Sequence, residues 1–168
     1  MLELPDWFEG GYIDVEQLVV SYFEWLLGDR VFLCTWMKPG HYELSPGEEF
    51  GGTQPTLRVW RQPGKVDDQT RIDQCLVQIA AITPTRHESW KLTNFVRRMM
   101  DEKVLLSTPI HLPDGSKHRF VSSDEWTGPQ VVPERYVDEK FIPVTFKLGI
   151  REPADLPNYA GILKTLSH

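Results

Sequence analysis

RIDQCLVQIAAITPTRHESWKLTNFVRRMMDEK, residues 71–103, is the stretch that decides the fold of this chain. In its first half, apolar side chains occupy every second position from Cys75 to Ala81. This period of two predicts a β-strand with one face turned towards the core and a more polar face turned outwards. The strand pattern breaks at Thr83 and Pro84.

The second half of the stretch is typical of an amphipathic helix. Thr85 is the expected N-cap, and Glu88 completes a capping box in which each side chain bonds the other residue's backbone N–H. Behind this cap, an apolar stripe at helical spacing runs from Leu92 to Met99 and is expected to lie on a sheet. A strand and a helix joined this tightly must pack together, so the unit defines the core.

Upstream, a second capping pattern predicts the first helix. Asp14 is its expected N-cap, Gln17 follows three residues later, and Gly28 is expected to end the helix. The next residues, 30–37, predict a strand that is apolar on both faces. Such a strand is covered on both sides, either by its own fold or by a partner chain.

Three further strands are predicted around the central unit. They span residues 56–61, 119–127 and 142–151, with a turn at Pro63–Gly64 and Asp67–Asp68 after the first and a hairpin tip at Asp114–Gly115 before the second. Pro143 lacks a backbone N–H, which places its end of the last strand at an edge or a bulge. Two long loops, residues 38–55 and 105–118, separate these elements.

The predicted order is α-β-β-β-α-β-β, an α+β fold with two helices packed on a mostly antiparallel or mixed sheet. We expect one domain over residues 1–151 and a C-terminal extension over 152–168 that is disordered alone and orders on a partner. The chain has 168 residues and a formal net charge of −6, which argues against a general grip on nucleic acid. Cys34 and Cys75 lie in apolar strand patterns and are expected to be reduced thiols, as in a protein made in the cytoplasm. The N-terminus has no signal-peptide pattern, and no apolar run is long enough to cross a membrane.

Catalytic, metal and cofactor motifs are not found. His111 and His118 could share a hairpin but have no Cys or carboxylate at ligand spacing beside them, Ser122 and Ser123 lack a glycine-flanked elbow, and Gly51–Gly52 lacks the lysine and helix of a phosphate loop. The paired acids Glu48–Glu49 and Asp67–Asp68 lie in turn-like contexts where solvated charge is the usual meaning. The sequence therefore predicts no enzyme, no cofactor and no metal, and function is expected in surfaces and loops.

Three stretches together carry a resemblance to a known family. They are VEQLVVSYFEWLLGDRVFL (15–33), RIDQCLVQIAAITPTRHESWKLTNFVRRM (71–99) and GPQVVPERYVDEKFIPVTFKLGIR (128–151). In order and spacing they resemble the tail terminator proteins of long-tailed bacteriophages, especially those of actinobacterial phages. The resemblance implies a structural virion protein that forms a ring, expected to be a hexamer, at the head-proximal end of the tail tube. Such a ring stops tube polymerisation and joins the tail to the head connector or stopper protein, while viral DNA passes through its lumen without sequence-specific binding.

Candidate contact residues follow from surplus aromatic, acidic and basic side chains. For the subunit or tube interface they are Trp36, Glu43, Glu48, Glu49, Arg58, Trp60, Arg97 and Arg98, and for a partner-binding tail they are Tyr159, Ile162 and Leu163. Arg97 and Arg98 are either part of a solvated helix face or ion-pair partners of a neighbouring subunit. The acidic loop of residues 38–55 is expected at the lumen or the tube face, in a protein of the virion neck that is assembled in the host cytoplasm.

Other readings of the same pattern remain open at this point. One is a different head–tail connector component, such as a stopper or a head-completion protein. Another is a cellular α+β binding module, which would be monomeric or dimeric. An enzyme would require several polar side chains that converge in one deep pocket.

Overall fold

The computed structural model describes residues 3–36, 54–130 and 141–167. Within these ranges the fold is α+β, with four α-helices, a five-stranded mixed sheet and a two-stranded hairpin. In chain order, the elements are α1 (Val15–Leu27), a 3₁₀ turn (Gly28–Arg30), β1 (Phe32–Cys34), β2 (Thr56–Val66), β3 (Ile72–Ile82), α2 (Arg86–Met99), α3 (Glu102–Leu105), β4 (Ile110–His111), β5 (Lys117–His118), β6 (Phe120–Thr127), β7 (Phe141–Arg151) and α4 (Tyr159–Leu166).

The central unit is confirmed. β3 passes through Thr83 into α2, whose N-cap Thr85 accepts a hydrogen bond from the Glu88 N–H at 3.2 Å. The Ser89 hydroxyl accepts from the Thr83 N–H at 3.1 Å in a buried position. Two of the backbone donors at the break therefore have side-chain acceptors, which helps to fix the angle between strand and helix.

The first helix is confirmed at both ends. Asp14 accepts from the Gln17 N–H at 3.1 Å, and Gly28 has φ 54°, a value that glycine adopts without strain. The apolar stripe of α1 packs with that of α2 over one side of the large sheet. Glu16 of α1 also accepts from the Arg61 N–H of β2 at 2.5 Å, which ties helix and sheet together.

The large sheet has the strand order β1-β2-β3-β7-β6. β1 pairs with β2 in parallel, and the other neighbours are antiparallel. We call the side under α1 and α2 the inner face and the opposite side the outer face. Val59, Ile79 and Val144 are opposite one another in register and form part of the buried inner face.

Two predicted strand boundaries are wrong. Within the described residues, the strand predicted over 30–37 is shortened to Phe32–Cys34, because the 3₁₀ turn occupies its start and its register with β2 holds three pairs. The strand predicted over residues 56–61 continues to Val66, since a bulge between Arg61 and Gly64 absorbs the predicted turn. The Asp67–Asp68 part of the predicted turn is confirmed: the chain turns after Val66, where Asp67 accepts from the Thr70 N–H at 2.7 Å.

The predicted edge at Pro143 is confirmed for that end of β7, although β7 as a whole is a central strand. β7 is flanked by β3 and β6, and Pro143 is buried opposite Ala80 of β3. The register with β6 ends at the pair of Thr127 and Thr145, two residues short of the proline. The proline is tolerated because β6 no longer pairs with β7 at that point.

The remaining differences are extra elements. The predicted loop over residues 105–118 contains the β4–β5 hairpin, whose tip includes Gly115 at φ 86°, and it follows the short helix α3. The C-terminal extension is not structureless: α4 forms there, capped by Asn158, which accepts from the Gly161 N–H at 3.1 Å. The two predicted helices therefore become four in the described ranges.

Candidate interaction surfaces

The outer face of the sheet carries an exposed patch of mixed aromatic and basic side chains. We define this basic-aromatic patch by Arg58, Trp60, Lys65, Leu76, Trp126 and Lys147, which are all exposed or half-buried. α1 and α2 pack against the inner face, so neither helix covers the patch. The alternation of β2, β3 and β7 places these side chains together, because residues paired in register project to the same face.

Two cation–π contacts hold the patch in shape. The Arg58 guanidinium carbon lies 4.4 Å from the centroid of the Trp60 ring, and the Lys147 ammonium lies 5.7 Å from that of Trp126. The Arg58 Nε is shielded from solvent and has no hydrogen-bond acceptor. Leaving such a donor without an acceptor among the described residues is costly, and the stacking on Trp60 is the contact that the structure shows for this side chain.

Beside the contact of Lys147 with Trp126 lies a shallow depression of about 420 Å³. The β2 bulge forms one wall with Pro63 and Gly64, and Leu76 and Trp126 contribute its apolar surface. Lys65 and Lys147 border it. In the described strands, Asp124 is the one acidic residue of the outer face, opposite Lys147 in register. The patch is therefore basic on a chain whose net charge is −6.

A second candidate surface lies beside α1. Trp25 is 71% exposed and, with Tyr22, Pro109 and Ile110, lines a mostly apolar cavity of about 250 Å³. The Tyr22 hydroxyl donates to the backbone carbonyl of Met99 at 3.0 Å, and burial raises the pKa of Tyr22. The cavity is small and apolar, which suits an aliphatic or aromatic side chain of another protein.

The two ends of the chain form a third surface. The ring of Tyr159 stacks on Phe8 at 5.5 Å and meets Trp7 edge-on at 6.1 Å. Its hydroxyl donates to the Gly10 carbonyl at 2.6 Å. The tail is also held by Arg71, whose side chain donates two hydrogen bonds, at 2.6 and 2.9 Å, to the Glu152 carboxylate. These bonds lower the pKa of Glu152. The N-terminal arm and the C-terminal tail are thus one packed unit.

An acidic groove of about 610 Å³ runs between this unit and the β4–β5 hairpin. Its lining includes the carboxylates Glu9, Asp14, Asp114 and Asp155 together with His118, and it includes no lysine or arginine. Hydrogen bonds from the Ser116 side chain and backbone lower the pKa of Asp114. The groove lies on the helix side of the molecule, because Asp14 caps α1 and Leu112 packs on the inner-face core.

The predicted contact residues have different surroundings. Trp36 is 66% exposed at the end of the β1 segment, while Arg58 and Trp60 form the stacked pair of the basic-aromatic patch. Arg97 donates to Glu125 of its own chain at 2.7 and 2.9 Å, whereas Arg98 is exposed. Glu43, Glu48 and Glu49 lie outside the described residues.

In the predicted tail, Tyr159 faces the arm, Ile162 is half-buried and Leu163 is exposed on α4. The sequence reasoning missed four residues of the patch: Lys65, Leu76, Trp126 and Lys147. The one available signal was that Trp126 and Lys147 fall at outward-facing positions of predicted strands.

In the described part of the chain, no group of three or more His, Cys, Asp and Glu side chains could hold a metal ion. Both cysteines are free, and burial raises the pKa of Cys75 to about 11, which disfavours its thiolate at neutral pH. Among the described residues, no helix is both long and apolar enough to span a bilayer.

Comparison with known proteins identifies one family. A family model described as phage tail termination protein matches residues 11–157, which is most of the chain. The chain matches none of the curated proteins compared with it. The matched range contains the sheet with α1, α2 and α3, whereas Trp7, Phe8 and α4 lie outside it.

Proposed function

This chain belongs to the phage tail termination protein family, and we propose that it acts as a ring of identical copies at the head-proximal end of the tail tube. As a member of this family it is a structural protein of the phage tail. In the proposed ring, each copy covers apolar surface of the next. The ring stops polymerisation of the tube and presents its other side to the head connector.

One observation supports the ring above the others: three of the largest apolar side chains are left in solvent. Trp25, Trp36 and Trp126 are 71%, 66% and 58% exposed. They lie on α1, after β1 and on β6, so they do not form one isolated spot. Large exposed aromatic side chains of this kind are typical of protein contacts, where tryptophan is enriched.

The placement of these residues favours a heterologous contact. Trp126 lies on the outer face with Lys147, while Trp25 lies on the helix side of the sheet. A contact that joins two different patches closes into a ring when the rotation between copies is suitable. We propose six copies per ring, as the family resemblance implies.

The two ends of the ring are proposed to contact different partners. The family match stops before α4, so its exposed Leu163 and Leu166 are an addition suited to the head connector or stopper protein. Tyr159 already packs on the arm and therefore positions this helix rather than contacting the partner itself. Glu43, Glu48 and Glu49 are proposed to face the tube or the lumen.

DNA is proposed to pass through the lumen without being gripped. A protein that holds DNA neutralises phosphates with clustered Lys and Arg, and this chain has 24 acidic against 18 basic residues. The basic-aromatic patch would bind passing DNA if it faced the lumen. This supports a location for the patch between subunits.

The test uses the purified chain with and without its tube protein. Native mass spectrometry is expected to give a ring, and tubes that polymerise without limit are expected to stay short, on electron micrographs, once the chain is added. A monomer under both conditions, together with tubes of unchanged length, would contradict the proposal. Binding to portal protein but not to the tube would indicate a different connector component.

A further inference from the structure

We propose that the basic-aromatic patch of one copy is covered by the acidic groove of the next copy. This inference deepens the proposed function and rests on it, since it names the two surfaces that join neighbouring subunits. It combines two features that a single copy leaves unused. One is the patch with its depression of about 420 Å³, and the other is the groove of about 610 Å³.

Charge complementarity is the first argument. Lys65 and Lys147 border the depression, and both are exposed. The groove has four carboxylates in its lining and no basic side chain other than a histidine. Of these, Glu9 and Asp155 are exposed, and neither carboxylate takes part in a hydrogen bond of the described structure. Each surface therefore has unpaired charge of the sign that the other needs.

The positions of the two surfaces are the second argument. The patch is on the outer face of the sheet, and the groove lies beside α1 and the hairpin, on the side of the inner face. One copy cannot bring them together. Since they differ from each other and lie on opposite sides, their contact is heterologous and repeats from copy to copy, as a ring requires.

Apolar surface at both sites is the third argument. Leu76 and the 58% exposed Trp126 lie in the depression, and Leu112, Leu156 and the prolines beside them line the groove. An interface usually has an apolar centre and a charged rim. The acidic partner is therefore a protein surface with its own apolar side chains, which DNA phosphates do not supply.

Charge reversal tests the pairing. One variant carries Lys65→Glu and Lys147→Glu, and a second carries Glu9→Lys and Asp155→Lys. Each alone places like charges at every contact, and we expect at least about a tenfold loss of ring in native mass spectra at low salt. Mixed in equal amounts, the two variants are expected to restore rings that contain both chains in alternation, because each reversed surface then meets its complement.

A matched control carries Lys91→Glu and Lys164→Glu, which change the net charge equally on exposed helix positions outside both surfaces. It should assemble like the wild type. Circular dichroism and unfolding midpoints show whether each variant is folded; an unfolded variant is replaced by the single change at Lys65 or at Asp155.

The outcomes separate the two proposals. Rings that persist in both charge-reversed variants, or rings that are lost in each variant and not restored on mixing, would overturn this inference. Neither result would contradict the proposal that the wild-type chain forms a ring. Normal rings that no longer join the tube or the connector would assign the patch to that partner instead. A wild-type chain that never forms a ring would contradict both proposals.

Discussion

Replacing Gly64 by alanine is expected to destabilise the fold by about 3 kcal/mol. Gly64 lies in the β2 bulge opposite Cys75 of β3. A Cβ built there would be 2.5 Å from the Cys75 Cα, 2.7 Å from its Cβ and closer still to the Gln74 carbonyl oxygen. These atoms are mostly backbone, so β2 and β3 would have to part by about 1 Å, at a cost similar to overpacking a core.

The assay is urea unfolding followed by circular dichroism, with a thermal scan as a second measure. For a domain of this size, about 3 kcal/mol corresponds to a melting temperature lower by about 10 °C. Gly11→Ala is the matched control, because its Cβ would meet only the Phe8 ring at an ordinary 3.6 Å. If Gly64→Ala lost no more stability than Gly11→Ala, the close approach of the two strands would be wrong.

Three further predictions concern bonds between elements. Tyr22→Phe removes the hydroxyl that donates to the last turn of α2 and should cost about 1 kcal/mol in urea unfolding; no change would mean that water replaces the bond. In the wild type, the two terminal guanidinium nitrogens of Arg61 each donate to the Asp73 carboxylate at 2.8 Å. Asp73→Ala removes this buried acceptor and should lower the free energy of unfolding by about 2 kcal/mol in the same assay; an effect under about 0.5 kcal/mol would contradict this. Arg71 lowers the pKa of Glu152 below its ordinary 4.5, so the stability from this pair is complete at neutral pH and is lost as the pH falls through the lowered value. Melting temperatures between pH 7 and pH 3 should therefore fall less steeply for Glu152→Gln than for the wild type, and parallel curves would refute the assignment.

Local patterns predicted the parts of the fold that local chemistry determines. The capping residues Asp14 and Thr85 marked both long helices, and the alternation of β3 and β7 marked their inner faces. In these segments, periodicity and capping indicate the same structure. The pairing of neighbouring strands then follows from burying those faces.

Features that depend on distant residues could not be read from the sequence. Pro63 and Gly64 are typical of a turn, but the bulge lets β2 continue because β3 is long enough to pair beyond it. Pro143 is typical of an edge, and β7 has an edge there only because β6 ends before reaching the proline. Both outcomes depend on the length of the neighbouring strand.

The candidate surfaces were predicted less completely than the fold. Arg58 and Trp60 were singled out as separate residues, whereas the structure stacks one on the other. Arg97 was a candidate for an ion pair with a neighbour, and its own chain supplies Glu125. A single sequence contains no signal for contacts between α2 and β6, or for the packing of Tyr159 on Phe8.

The central claim is that neighbouring copies cover aromatic surface which one copy leaves in solvent. Hydroxyl-radical footprinting with mass spectrometry measures this directly at Trp25, Trp36 and Trp126, in dilute purified chain and in assembled tails. The account predicts that oxidation of these three residues falls several-fold on assembly. A sample of the chain unfolded in denaturant calibrates the oxidation expected for full exposure. Equal oxidation of all three tryptophans in the free chain and in the tail would contradict it.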